Sequence, residues 1–295
     1  MIAFPRRWIK MSKSWSTVTI SVTDDPNKEW FQYYAFTRWT TVKDRFYLSA
    51  YKASRISNVL KSYSWQWAAS STSGNGISYI SLDTACSHAQ ANWAWYDCET
   101  RWMRNYINAL FVLKYKTLNS QSKVWAWYTW WSAAQSTWAT NSITNATWAT
   151  NTSNTWRIKI FWLEDWWWNV WEWLNWAYYN SSTSMQLWTL PESPSWRITN
   201  FSYYDAVTWT SSTAAITVAS WWMSSAVANN AWMFAWNGTS WSESTYYCDY
   251  FAVYSGFSLF AGGRWGYGAN AGAFVVSTYT ASSAASYYGA RLAFL

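Results

Sequence analysis

The sequence predicts an α+β domain: small twisted antiparallel sheets carrying two helices and long irregular loops. Three observations support this. Apolar residues recur at helical spacing near 82–92 and 99–115. Short runs on either side alternate in strand fashion. The segments between are rich in Ser, Thr, Asn and Ala and have no regular period. Few regular elements and long connections place function on the loops.

Val18 to Val22 (VTISV) alternates apolar and polar and stops at the turn sequence Asp24-Asp25-Pro26-Asn27. Phe31 to Phe36 and Arg45 to Tyr51 (RFYLSAY) read as further strands, followed by a polar loop, SSTSGNG. Leu82 to Asn92 (LDTACSHAQAN) reads as a short helix with Asp83 or Thr84 at its N-cap. Glu99 to Tyr115 is the clearest helix, because Trp102, Met103, Tyr106, Ile107, Leu110 and Phe111 form one apolar stripe. That stripe predicts a core helix. Residues 125–156 (including WATNSITNATWATNTSNTW) are low in complexity and read as a surface loop, since the repeat is shorter than a supersecondary unit. Arg157 to Leu163 (RIKIFWL) reads as a strand, Phe201 to Trp222 as short alternation, and Tyr246 onward as strands with glycine turns.

The 295 residues suit one large domain or two small ones. We divide them into a β-rich docking or linker segment, 1–44, and a domain, 45–295. No apolar run reaches 18 residues, so no membrane span is expected, and MIAFPRRWIKMSKSW lacks the apolar core of a signal peptide. Of the net charge of +7, +6 lies in the first 60 residues, where ten Lys/Arg face four Asp/Glu. These charges are scattered, as on a solvated face or docking segment, and no nucleic-acid partner is expected. Cys86, Cys98 and Cys248 are too few for a disulfide scaffold and show no metal spacing, so no cofactor or metal is expected.

Tryptophan and glycine are distributed oppositely. The chain has 32 tryptophans and 10 glycines; only Gly74 and Gly76 precede residue 238, and only Trp241 and Trp265 follow it. Tryptophan sits in turn contexts: Ser14-Trp15-Ser16, Arg38-Trp39-Thr40, Asn92-Trp93, Thr137-Trp138-Ala139 and Asn175-Trp176. Such contexts favour glycine, which reaches positive φ without cost. Many tryptophans therefore stand where the fold wants glycine. The competing readings are an unusually aromatic core and a set of stacking platforms for carbohydrate.

Five segments, in order, resemble the C-type-lectin-like domain of the formylglycine-generating-enzyme type. Phe46 to Ser54 (FYLSAYKAS) is similar to its opening strand. Tyr79 to Tyr106 is similar to its two helices, with Glu99, Thr100 and Trp102 at the start of the second. Asn169-Val170-Trp171-Glu172-Trp173 matches its Gly-Asn-Val-Trp-Glu-Trp motif, with Trp168 in the glycine position. Gly262-Gly263-Arg264-Trp265 and Gly289-Ala290-Arg291-Leu292 are similar to its closing strands. The resemblance spans residues 45–295. It implies that Asn169, Trp171, Glu172, Trp173, Gly262, Gly263, Trp265 and Arg291 form the structural motif, with Glu172 a buried hydrogen-bonding carboxylate. The wider character resembles phage tail proteins and the variable proteins of diversity-generating retroelements. Trp171 and Trp173 then stand as genuine. Trp168 and Trp176 stand for glycine, as in a gene whose UGA codons mean glycine.

The family's oxidases use a late pair of cysteines, which this chain lacks after Cys248. His88 has no Ser/Asp or His cluster around it in sequence, so no catalytic residue is assigned. The ending RWGYGANAGAFVVSTYTASSAASYY mixes Tyr, Ser, Ala, Thr, Asn and Arg on a glycine frame, as binding loops do. The retroelement resemblance puts Arg264, Tyr267, Val276, Ser277, Tyr279, Ser282, Ser286 and Tyr287 on a variable face, since each can arise from an AAC codon by changing adenines. Trp265, Gly268, Ala271 and Gly272 are then the frame. The expectation is a non-enzymatic binding protein for a protein or glycan receptor on a cell surface, carried on a virion tail or cell surface, with homo-oligomerisation left open. The alternative is a lectin whose tryptophans stack on sugars.

Overall fold

The computed structural model describes residues 1–14, 17–25, 27, 33–38, 41–66, 68, 80–124, 134–142, 157–181, 184–187, 205–208, 251–252 and 257–295. The described N-terminal region holds β1 (Ile2–Pro5), the hairpin β2 (Trp8–Ser14) and β3 (Thr17–Thr23), the short pair β4 (Thr37–Arg38) and β5 (Thr41–Val42), β6 (Arg45–Leu48), and the hairpin β7 (Ser54–Ile56) and β8 (Val59–Lys61). Next come α1 (Leu82–Gln90), β9 (Tyr96–Cys98), α2 (Arg101–Tyr115) and α3 (Ser120–Lys123). The remainder is strand: β10 (Lys159–Ile160), β11 (Leu163–Glu164), β12 (Trp171–Ser181), β13 (Ser184–Leu187), β14 (Asp205–Thr208), β15 (Phe251–Ala252), β16 (Phe257–Ala261), β17 (Val276–Tyr279), β18 (Tyr288–Gly289) and β19 (Leu292–Phe294).

The described architecture is thus a mixture of three helices and small, mostly antiparallel sheets. One sheet has the order β1-β6-β19-β9, and a second is built on β14-β13-β12-β16-β17-β15 with β18 parallel to β12. The first sheet closes the chain: β19 pairs with β6, as Ala293 with Leu48. Strands β1 and β6 alternate so that Phe4, Phe46 and Leu48 point inward while Pro5 and Arg45 stay in solvent. Because β1 pairs with β6 along its whole length, the boundary drawn at 44/45 separates two strands of one sheet.

Helix α2 begins at Thr100, whose hydroxyl accepts from Met103 N at 3.1 Å. Its apolar stripe is buried as expected, apart from half-buried Leu110, but so are Arg101, Arg104, Asn105 and Asn108 on its polar side. The polar positions do not mark a solvent face here; they bond other elements. Helix α1 is capped by Ser81, which accepts from Thr84 N at 3.2 Å, and not by Asp83 or Thr84.

Other expectations change. Tyr34–Phe36 is a 3-10 turn, not the end of a strand. Arg157 to Leu163 is broken into β10 and β11 by a reversal at Phe161 and Trp162, both with positive φ. Gly262 to Trp265 is a turn after β16, in a different sheet from β6. Of the low-complexity stretch 125–156, only 134–142 is described, and of Phe201 to Trp222 only β14. Trp15, Trp39, Trp148 and Cys248 also lie outside the described residues.

Candidate ligand-binding face

The face is anchored from below by a buried ionic centre. Glu172 is fully buried at the start of β12. It accepts from Arg291 Nε at 2.8 Å and from Arg104 Nη2, and Lys52 Nζ lies 3.2 Å away. Burial alone would raise its pKa, but Arg291, Lys52 and Arg104 outweigh burial and hold the carboxyl down at about 2. Glu99, sharing Arg104 at 2.7 Å, goes the other way: burial pushes it up to about 7 against that arginine, and the charge of Glu172 adds to the rise. Burial lowers Lys52 to about 8.

Arg291 ties the centre to the chain. It also donates to Ser49 O at 2.8 Å and Glu164 O at 2.7 Å. A second buried set joins Arg157 to Asp165 and Glu164, and Asn169 Nδ2 to Asp165 at 3.0 Å. Trp166 packs against the Glu172 set: its indole N–H donates to Asn108 at 2.9 Å, and Arg104 lies 3.6 Å over its ring. Every member of the structural motif except Trp265 is buried. Trp265 is half-buried and packs on the core edge.

From this frame the loop between β16 and β17 rises to the surface. Trp168 N donates to Gly262 O at 2.8 Å and Trp265 N to Asn169 O at 2.9 Å. Gly263 has φ +79, and a Cβ there would stand 2.8 Å from Ala271 Cβ, so both conformation and space require glycine. Ser120 Oγ accepts from Ala273 N at 3.0 Å, and Gln121 donates to Ala271 O, so α3 pins the loop's far side. A Cβ at Gly289 would meet Val170 Cγ2 at 2.5 Å, which holds β18 against the motif.

Above it, Arg264 lies over three rings: Tyr287 at 4.5 Å, Trp265 at 5.0 Å and Tyr267 at 5.1 Å. Tyr267 meets Trp171 edge-on at 5.2 Å. Tyr287 meets Tyr288 at 4.8 Å, and Tyr288 continues to Tyr279 at 6.3 Å and inward to Trp173 at 4.9 Å. A ladder of rings thus climbs from the core to Tyr279, which is 50% exposed. The structure brings Arg264, Tyr267, Tyr279 and Tyr287 together, with Ser282 exposed and Ser286 half-buried on the adjoining loop.

Two residues expected on the face are not on it. Val276 and Ser277 are buried in β17, because that strand is covered and only its last residue, Tyr279, is exposed. The link that sequence reading missed is Tyr288. Its ring joins Tyr287 and Tyr279, and burial, with the nearby tyrosines adding, pushes its hydroxyl well above the usual range. The adjacent Tyr287-Tyr288 pair was the available signal: Tyr287 ends the turn and Tyr288 begins β18, so one ring stays partly exposed while the other is buried.

His88 is half-buried in α1, with its pKa lowered by burial and by Arg55. The fold also brings Cys86, Asp97 and Cys98 together, their ligand-type atoms within 4.8 Å, although the spacing gave no metal signal. Asp97 Oδ1 there already accepts from Cys98 N at 2.7 Å and Asn175 Nδ2 at 3.0 Å. Among the described residues no helix is long and apolar enough to cross a membrane. Compared with known proteins, the chain matches no family model and no curated protein.

Proposed function

We propose that the protein is a non-enzymatic ligand-binding protein of C-type-lectin-like fold, presenting a variable C-terminal face to a protein or glycan receptor. A phage tail tip or a retroelement-diversified cell surface is its proposed setting. The observation that carries the reading is Arg264: a half-exposed cation over three aromatic rings, with no carboxylate partner among the described residues. Such a group offers flat apolar area and one uncommitted charge at little ordering cost. The glycine-pinned loop beneath supports it, since a face held rigid before binding avoids roughly 0.5–1.5 kcal/mol of ordering per side chain. The pairing of β6 with β19 and the Glu172–Arg291 contact are consistent with the resembling domain.

The test is a display library randomising Arg264, Tyr267, Tyr279, Ser282, Ser286 and Tyr287 together, selected separately on an immobilised glycan panel and on immobilised proteins. Folded clones with different selected ligands support the reading. A library in which most clones lose cooperative melting shows these residues to be core and overturns it.

A further inference from the structure

We infer that five tryptophans, Trp65, Trp138, Trp162, Trp168 and Trp176, occupy backbone positions built for glycine, and that the source organism inserts glycine there. Each has positive φ: 63°, 102°, 67°, 79° and 61° in turn. A non-glycine residue does this in only a few per cent of cases, with Asn, Asp and His enriched. Fourteen tryptophans are described (8, 65, 93, 95, 102, 138, 162, 166, 167, 168, 171, 173, 176 and 265), so less than one would be expected by chance. Tryptophan instead supplies five of the eleven described non-glycine residues with positive φ.

Each position has its own local reason for glycine. Trp162 is the second central residue of the reversal between β10 and β11, whose first, Phe161, also has positive φ. That turn type favours Asn-Gly. The β7–β8 hairpin uses the same conformation at Ser57 and Asn58, with the tolerated asparagine second. Trp176 lies where β12 slips register against β16, between Leu174 and Tyr178, and glycine in the left-handed region is the usual bulge residue. Trp168 precedes Asn169, also left-handed, in the turn bonded to Gly262. At 102°, Trp138 lies beyond the left-handed well that L-residues visit. Its ring centroid is 3.3 Å from that of Trp65, shorter than the roughly 4.5–7 Å of relaxed aromatic pairs. The contrast lies in the same chain: Trp166 and Trp173 have negative φ, and their indole N–H groups donate to Asn108 and Ile80 O.

The inference is independent of the proposed ligand face, but it weakens the sugar-stacking alternative. Of the three tryptophans exposed among the described residues, Trp65, Trp93 and Trp162, two are among the five.

Two measurements test it. Each of the five is changed to Gly and, separately, to Ala in the expressed chain, with Trp93 and Trp166 as controls. Both changes remove the indole, so any cavity is shared, and the Gly-minus-Ala difference reads the backbone alone. Gly should melt above Ala by about 2–4 °C at each of the five, the shift that about 1 kcal/mol produces in a domain somewhat smaller than this chain. At the controls Ala should melt as high or higher. Ala above Gly at the five overturns the claim about the backbone. If buried Trp168 or Trp176 variants do not fold, the exposed Trp65 and Trp162 still decide its sign. The second measurement is peptide mass spectrometry of the protein purified from its source: residue masses of glycine at these positions establish the decoding, and residue masses of tryptophan refute it.

Discussion

Around Glu172 each arginine is enclosed. Arg104 is shared by two carboxylates and a carbonyl, and Arg291 by one carboxylate and several carbonyls, all out of solvent. Around Arg264 the same kind of side chain rests on three ring faces, with one long hydrogen bond, 3.4 Å, to Trp265 O. The difference teaches what burial demands of a charge. A guanidinium removed from water must have its partners fixed, so each one constrains several strands. A half-exposed guanidinium on aromatic rings keeps its water, so its identity can change without the fold noticing.

Removing the shared acceptor should separate the two regions most sharply. Glu172→Ala leaves Arg104, Arg291 and Lys52 buried without their common counter-ion and should cost about 3–5 kcal/mol. Against a total of roughly 5–15 kcal/mol, that leaves the chain marginal, which urea denaturation would read directly. A loss below about 1 kcal/mol would mean that the centre does not fix the frame.

The next effect is pH-dependent and opposite in sign for the two carboxylates. Glu172 is depressed to about 2, so its contribution is present above 4.5 and is lost as pH falls toward 2. Glu99 is raised to about 7, so its contribution is full below 4.5 and is lost as pH rises through 7. From this pair alone, stability peaks near pH 4.5. Glu99→Gln should flatten the slope between pH 4.5 and 7 and leave the variant more stable above pH 7, by up to about 3 kcal/mol. Melting curves across that range check it; an unchanged slope would assign the dependence elsewhere.

Gly263→Ala tests the turn that joins the regions. Its Cβ would meet Ala271, and its φ is left-handed, so a loss of roughly 1–3 kcal/mol is expected. Hydrogen exchange should localise the loosening to 262–275 while β12 stays protected. The smallest effect on stability should come from Arg264→Ala, within about 0.5 kcal/mol, accompanied by loss of binding to whichever ligand the library selects. A large loss of stability with binding intact would reverse the assignment of the two regions.

Much of this was legible from residue order alone. The stripe of α2 announced a buried helix because apolar spacing at 3.6 residues has one geometric solution, and VTISV announced β3 because alternation does too. The scarcity of glycine beside abundant tryptophan pointed to tryptophan in turn positions, and five of the described tryptophans have positive φ. What the sequence could not decide was exposure along β17 or which polar side of α2 meets a partner. Ser277 and Tyr279 lie in the same strand and share a residue parity, yet one is buried and the other exposed. Arg104 and Lys114 occupy the same helix, yet one is locked to Glu99 and Glu172 while the other is exposed. Local periodicity sets which way a side chain points relative to its own element. Whether it meets water or another strand depends on segments distant in sequence, and only the tertiary structure brings those together.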